Sequence, residues 1–190
     1  MNKEKILDKA KENLKSLIKL LSSIEIKEPV KFYMHSSEFR TLDLCENKLD
    51  EIGKIKKPLV YVIEIIDNKE ELLEQFASFE KQNKIYTKNV DRINHSKNNK
   101  SSSSNILYVG SCIKTNFRNR MIVHLGLSNT IRTYGLHLSR WSKEIDYNIK
   151  ITIYYIDSKT DLDKKGYIVE LIEQTIWDKY KPIFGKRSGH

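Results

Sequence analysis

Between residues 59 and 66 the chain reads Leu-Val-Tyr-Val-Ile-Glu-Ile-Ile, a run of β-branched and aromatic residues carrying one charge. Such a run has the length and composition of a strand buried in an interior. A buried strand needs neighbours beside it and cover above it, and the remaining sequence has to supply both. Asp67 and Asn68 give a turn or helix cap directly afterwards, and residues 69–82 follow with Leu72, Leu73, Phe76 and Phe79 at helical spacing. Ile106-Leu107-Tyr108-Val109 predicts a second short strand, broken by Gly110. A third is expected from Ile149 to Ile156, where Ile149, Ile151, Ile153 and Tyr155 alternate.

Helices fill the intervals. Phe117, Met121 and Leu125 share one side of a predicted helix over 117–125, and a shorter one is expected over 134–141. Residues 164–180 place Ile168, Leu171, Ile172, Thr175, Ile176 and Tyr180 inward, and Lys181-Pro182 stops the helix. At the other end, Ile6, Ala10, Leu14, Leu17, Ile18 and Leu21 form one face of a lysine-rich helix over 3–21. A basic amphipathic helix can lie on a membrane or along DNA, but packing on its own domain is the plainer expectation. Residues 28–57 show no clean period, although Phe32, Tyr33, Met34, Phe39 and Leu42 are candidates for packing. Residues 87–104, ending in four serines, cannot bury an apolar face and read as a loop or disordered linker. The order of elements describes an α/β chain with a small central sheet.

The formal net charge of +9 and a pI near 9.3 bias a chain of this size toward polyanions, although simple solubility explains such a charge equally well. Cys45 and Cys112 form no CxxC pair and have no His or Cys near enough in sequence for a zinc site, so a disulfide framework is not expected. No segment approaches the roughly 20 apolar residues of a membrane span, and the N-terminus lacks the apolar run of a signal peptide. The expectation is a soluble, cytoplasmic protein.

One ordered set of residues carries a chemical signal. Leu59-Val60-Tyr61 and Tyr108-Val109-Gly110 are followed by Arg118-Asn119-Arg120-Met121-Ile122-Val123-His124, and Glu173 stands nine residues before Pro182. Taken singly, a strand tyrosine is usually packing and a helical arginine or glutamate is usually solvated surface. In this order they resemble the GIY-YIG nuclease family over roughly residues 58–187. That family has a first strand ending in tyrosine, a second reading Tyr-Ile/Val-Gly, a helix with arginine and often histidine four residues later, and a final helix with a metal-binding glutamate. The resemblance implies a small three-stranded, mainly antiparallel central sheet flanked by helices. It divides the chain into an N-terminal helical extension at 1–57 and a nuclease domain at 58–190 with an insertion at about 68–105. Three departures stand out: Leu59 replaces the first glycine of the family name, the two tyrosine motifs are far apart, and Gly185 occupies the place of a usual asparagine after the proline.

The resemblance assigns roles. Tyr61 is the candidate general base, provided nearby cations lower its pKa, and Tyr108 positions water or phosphate or shares that role. Arg120 offers a planar, permanently charged fork for phosphate, with Arg118 as a second candidate. His124 orients a tyrosine or moves protons. Glu173 is the expected ligand of Mg²⁺ or Mn²⁺, and Glu170 one turn earlier is read as solvent-facing. Lys186, Arg187 and Ser188 are candidates for substrate phosphate contacts, as are Lys88, Arg92, Lys97 and Lys100 in the polar stretch. The expected activity is endonucleolytic hydrolysis of nucleic acid, with double-stranded DNA the first choice of partner and a restriction or defence role. A homodimer suits double-strand cutting. Two other readings stand beside it: an inactive nucleic-acid-binding module on the same fold, and a basic adaptor that docks a partner protein through its N-terminal helix.

Overall fold

The structure is a computed structural model that describes residues 3–55, 57–86, 92–99, 102–113, 117–158 and 165–189. Its centre is one antiparallel sheet of five strands: β1 (Ile24–Ile26), β2 (Val30–His35), β3 (Leu59–Ile65), β4 (Ile106–Cys112) and β5 (Asn148–Ser158). Strand β5 lies against β3 on one side, with Tyr61 opposite Ile153, and β4 lies outside β3. On the other side of β5 run both β1 and β2, end to end. The break between them falls at Glu28-Pro29, where proline has no N–H to give a ladder. The sheet therefore has five strands where three were expected. The first 57 residues supply two of them, as well as α1 (Lys3–Leu21), a 3₁₀ turn (Ser36–Phe39) and α2 (Leu42–Gly53).

Alternation along β3 divides the interior into two layers. Leu59, Tyr61, Ile63 and Ile65 point to one face and join Ile149, Ile151 and Ile153 of β5. That face is covered by α2, α3 (Lys69–Ile85), α4 (Phe117–Leu125) and the short α5 (Leu138–Trp141), with Phe76, Phe117, Met121 and Trp141 filling the space between. Val60 and Val62 point to the other face, where Ile168, Val169 and Ile172 of α6 (Lys165–Tyr180) cover them. This three-layer arrangement is why β3 reads as apolar at nearly every position: neither of its faces meets water. Between Ile63 and Glu64 the β3–β4 register shifts, leaving Leu107 as an extra residue. Leu107 and Tyr108 consequently both turn into the first layer, the usual effect of a bulge on the aim of a side chain.

Helix α1 departs from the expectation of packing on its own domain. Only its last turn docks, through buried Leu20 and half-buried Leu17, while Leu14 and Ile18 stay 60% and 64% exposed. No described helix is long and apolar enough to cross a membrane.

The polar stretch also differs from its reading as a linker wherever it is described. Residues 92–99 and 102–104 form a strap bound to the body by backbone and amide hydrogen bonds. Ser96 N–H donates to Gly135, Asn99 N–H to Ile183, and Gly185 N–H to Lys97. The Asn99 amide donates to the carbonyls of both Pro182 and Gly185 at 3.0 Å. Composition could not reveal this, since the anchors are backbone groups rather than apolar side chains. Lys88 and Lys100 lie outside the described residues. We expect Asn99→Ala to lower the unfolding free energy by about 1–3 kcal/mol, because both carbonyls then lose their donor. Urea denaturation measures this directly, and a neutral result would mean that water replaces the amide without cost.

Candidate active site

Strand β3 delivers Tyr61 into the first layer, where it is fully buried. Its hydroxyl end lies against the backbone of Gly110, its cross-strand partner. A Cβ at position 110 would stand 2.5 Å from the Tyr61 hydroxyl and 2.8 Å from the Tyr108 ring. Glycine is thus required here by close approach, and β4 continues through it rather than ending. The two tyrosine rings stack at 6.2 Å, and the His124 ring of α4 lies 4.4 Å from that of Tyr108.

His124 is also fully buried and bonded at both nitrogens. Leu136 N–H donates to its Nδ1 at 3.3 Å, and Nε2 lies 2.9 Å from the Tyr61 hydroxyl. With Nδ1 accepting, the proton of the neutral ring sits on Nε2, which donates to the Tyr61 oxygen. Burial, reinforced by the charge of Arg120, holds the His124 pKa well below the ordinary histidine value. The ring stays neutral and holds the Tyr61 hydroxyl through this bond.

Arg120 lies one turn before His124 on the same face of α4, and its Nη2 donates to the Tyr108 hydroxyl at 3.5 Å. Its guanidinium sits beside both phenol oxygens, with Tyr61 the strongest influence, and remains charged. This separates the two arginines. Arg118 turns toward α2, pairs through Nε with Asp50 at 3.1 Å, and takes no part in the tyrosine cluster. Burial pushes the Tyr61 phenol pKa far up and that of Tyr108 up, outweighing the lowering by Arg120. The lowered Tyr61 pKa required for a general base is therefore absent from this arrangement. Cys112 is likewise pushed up by burial, to about 11, and is no nucleophile.

Glu173 approaches from the opposite face of the sheet. Ser111, paired with Val60, points toward α6 and donates to the Glu173 carboxylate at 2.5 Å. The resemblance requires Tyr61, Tyr108, Arg120, His124 and Glu173 to converge on one surface cleft, and they do not: Tyr61 and Glu173 belong to different layers, and only the first four cluster directly. The connection runs around the exposed side of β4. There Glu173 is close enough to raise the Tyr108 pKa, and Arg120 to pull that of Glu173 down. Burial nonetheless keeps the Glu173 carboxyl above its usual range. A cleft of about 400 Å³ opens beside it, lined by Ser111, Glu170, Glu173 and Ser188. Glu170 lines this cleft and raises the Glu173 pKa, so it belongs to the site and not merely to solvent. Ser188 was expected as a phosphate contact rather than a neighbour of Glu173, and Ser111 was not foreseen; it directly follows Tyr-Val-Gly, but nothing in its type marks it. Of the tail residues, Lys186 is exposed, whereas Arg187 is engaged by Asp178 through two bonds of 2.8 and 2.9 Å.

Among the described residues no group of three or more His, Cys, Asp and Glu side chains stands close enough to hold a metal. The cleft does present an all-oxygen donor set, in which the Ser188 hydroxyl stands near enough to Glu173 to lower its pKa. That chemistry suits a hard cation which keeps most of its waters, such as Mg²⁺ or Mn²⁺. Comparison with protein-family models, with curated proteins and with solved structures finds no match to this chain.

The packing at Gly110 leads to a direct expectation. Gly110→Ala should displace the Tyr61 hydroxyl from His124 and destabilise the protein by about 1–3 kcal/mol, as overpacking does elsewhere. Chemical denaturation with near-ultraviolet circular dichroism reports both effects, and an unchanged tyrosine signal with parental stability would show that the ring has room to spare.

Proposed function

We propose that the chain is a GIY-YIG-type phosphodiesterase that cuts the backbone of nucleic acid, with double-stranded DNA as its first substrate. The observation that carries this reading is a charged Arg120 touching the Tyr108 hydroxyl on one side of β4, with the Glu173 carboxylate beside an open cleft on the other and near enough to interact electrostatically with both. Arg120 would take two phosphate oxygens with its fork. Tyr108, a protonated phenol in this setting, would donate to the phosphate or orient the attacking water. Tyr61 and His124 act as positioning residues, because neither reaches water. Glu173, aided by Ser111, would hold Mg²⁺ or Mn²⁺. Such a cation supplies neutralisation of charge at the phosphoryl and leaving oxygens. The net charge of +9 favours a polyanionic substrate. A cytoplasmic setting, a homodimer for double-strand cutting and a restriction or defence role complete the proposal.

A second reading has its own observation. Tyr61 and Glu173 stand in different layers, and Tyr61 is shut away with a raised pKa, which is the state of a binding module that does not cut. Incubation with plasmid DNA and with single-stranded RNA, in Mg²⁺ or in EDTA, separates the two on a gel. We expect nicking or linearisation that needs the metal. Glu173→Ala should abolish it while most binding survives, since binding draws on many lysines and arginines. Retardation of DNA without any cleavage would establish the binding module instead, and full activity of the Glu173 variant would transfer the metal to Glu170.

A further inference from the structure

A second cleft, of about 620 Å³, lies between the last turn of α6 and the strap. Its lining includes Lys97 and Asn98 from the strap and Trp177, Asp178 and Lys181 from the end of α6. Trp177 places its indole Nε1 in the interior with no acceptor. That nitrogen has no exposed surface, so what Trp177 offers the open cleft is its ring. The cation on the helix side is Lys181, whose backbone is left-handed at φ 46°. Its N–H caps α6 on the Trp177 carbonyl at 2.7 Å, a position that glycine normally fills. The chain thus sets a lysine where its backbone is strained, on the wall of the cleft. Lys97 faces it from a strap fixed by the Gly185 and Asn99 bonds. The one acid, Asp178, is matched by Arg187. Two lysines thus face one matched acid across a cleft whose remaining lining is largely apolar.

We propose that this cleft is a subsite for a backbone phosphate of nucleic acid, held by Lys97 and Lys181 beside the Trp177 ring; the proposal rests on the phosphodiesterase reading above. Trp177 follows Glu173 by four residues, so both project from the same side of α6, about 6 Å apart along its axis. The strap then serves to position substrate beside the site, and its insertion between the two tyrosine motifs acquires a purpose.

The test uses the full chain in EDTA with a short DNA duplex, so that binding is read without cleavage. The chain has two tryptophans, and Trp141 is held by its own bond to the Leu136 carbonyl in the other layer. Emission that changes on binding in the parent, and loses that change in Trp177→Phe, is expected. Lys181→Gly relaxes the backbone while deleting the cation, so its melting temperature should equal or exceed that of the parent. Its affinity should fall about threefold to tenfold, and adding Lys97→Ser should bring the total drop in log–log salt slope to about 0.9, the value for one phosphate contact. Lys181→Asn, which also tolerates the left-handed backbone, should repeat the loss. A parent that binds while both variants keep its affinity and salt slope overturns the subsite alone. A parent that binds no DNA overturns the subsite and the phosphodiesterase reading together. Binding with the expected losses, but no cleavage once Mg²⁺ is restored, upholds the subsite and removes only the catalytic reading.

Discussion

The bond between the Tyr61 hydroxyl and His124 Nε2 fixes more of this molecule than any other single contact. Both groups are wholly buried, and an unsatisfied polar atom there would cost about 1–3 kcal/mol. The imidazole must therefore present one nitrogen to β3 and the other to the Leu136 N–H. Together these bonds set the rotation of α4 and draw the 126–137 connection against it. Once α4 is so turned, helical geometry leaves Arg120 no other side than the one facing Tyr108. Gly110 permits the whole arrangement, because only a residue without Cβ lets the phenol reach so far across the neighbouring strand.

The same burial sorts the charges. Desolvation keeps both phenols and the imidazole neutral, leaving Arg120 as the one permanent charge of the cluster. On the other layer it pushes Glu173 toward its protonated form. A partly buried guanidinium and a partly buried carboxylate on two sides of one strand attract weakly across it and lack a direct bond. An anionic phosphate at the edge of β4 would gain from the first, and a divalent cation would relieve the second.

Much of this was legible beforehand where a residue's type and its spacing say the same thing. Helices α4 and α6 and strand β3 fall within a residue of expectation, because apolar period and flanking stop signals agree there. Arg120 and His124 were readable as a pair through their four-residue spacing. Strand β2 was not: Phe32 and Met34 do alternate inward, but the strand lies at the sheet's edge, and Tyr33 and Val30 remain exposed, which blurs the pattern. The layer to which Glu173 belongs was equally hidden. Spacing to Pro182 fixes its position along α6, whereas the face of the sheet that α6 covers depends on the pairing of strands distant in sequence.

The edge of β4 explains why the strap and the tail matter to the site. An open strand edge invites pairing with another chain, and here part of it is closed by the residues after α6. Ile183 and Phe184 donate to the carbonyls of Ile106 and Leu107, and Phe184 then enters the first layer beside Phe76. Gly185 comes next, left-handed at φ 103°, and a Cβ on it would meet the Tyr108 ring at 2.9 Å. No asparagine could stand there without moving that ring. The amide that holds this turn comes instead from Asn99, across the strap. The covering chain therefore confines Tyr108 from behind, while the 109–112 end of β4, with Ser111 and the adjoining cleft, is left for a ligand to approach.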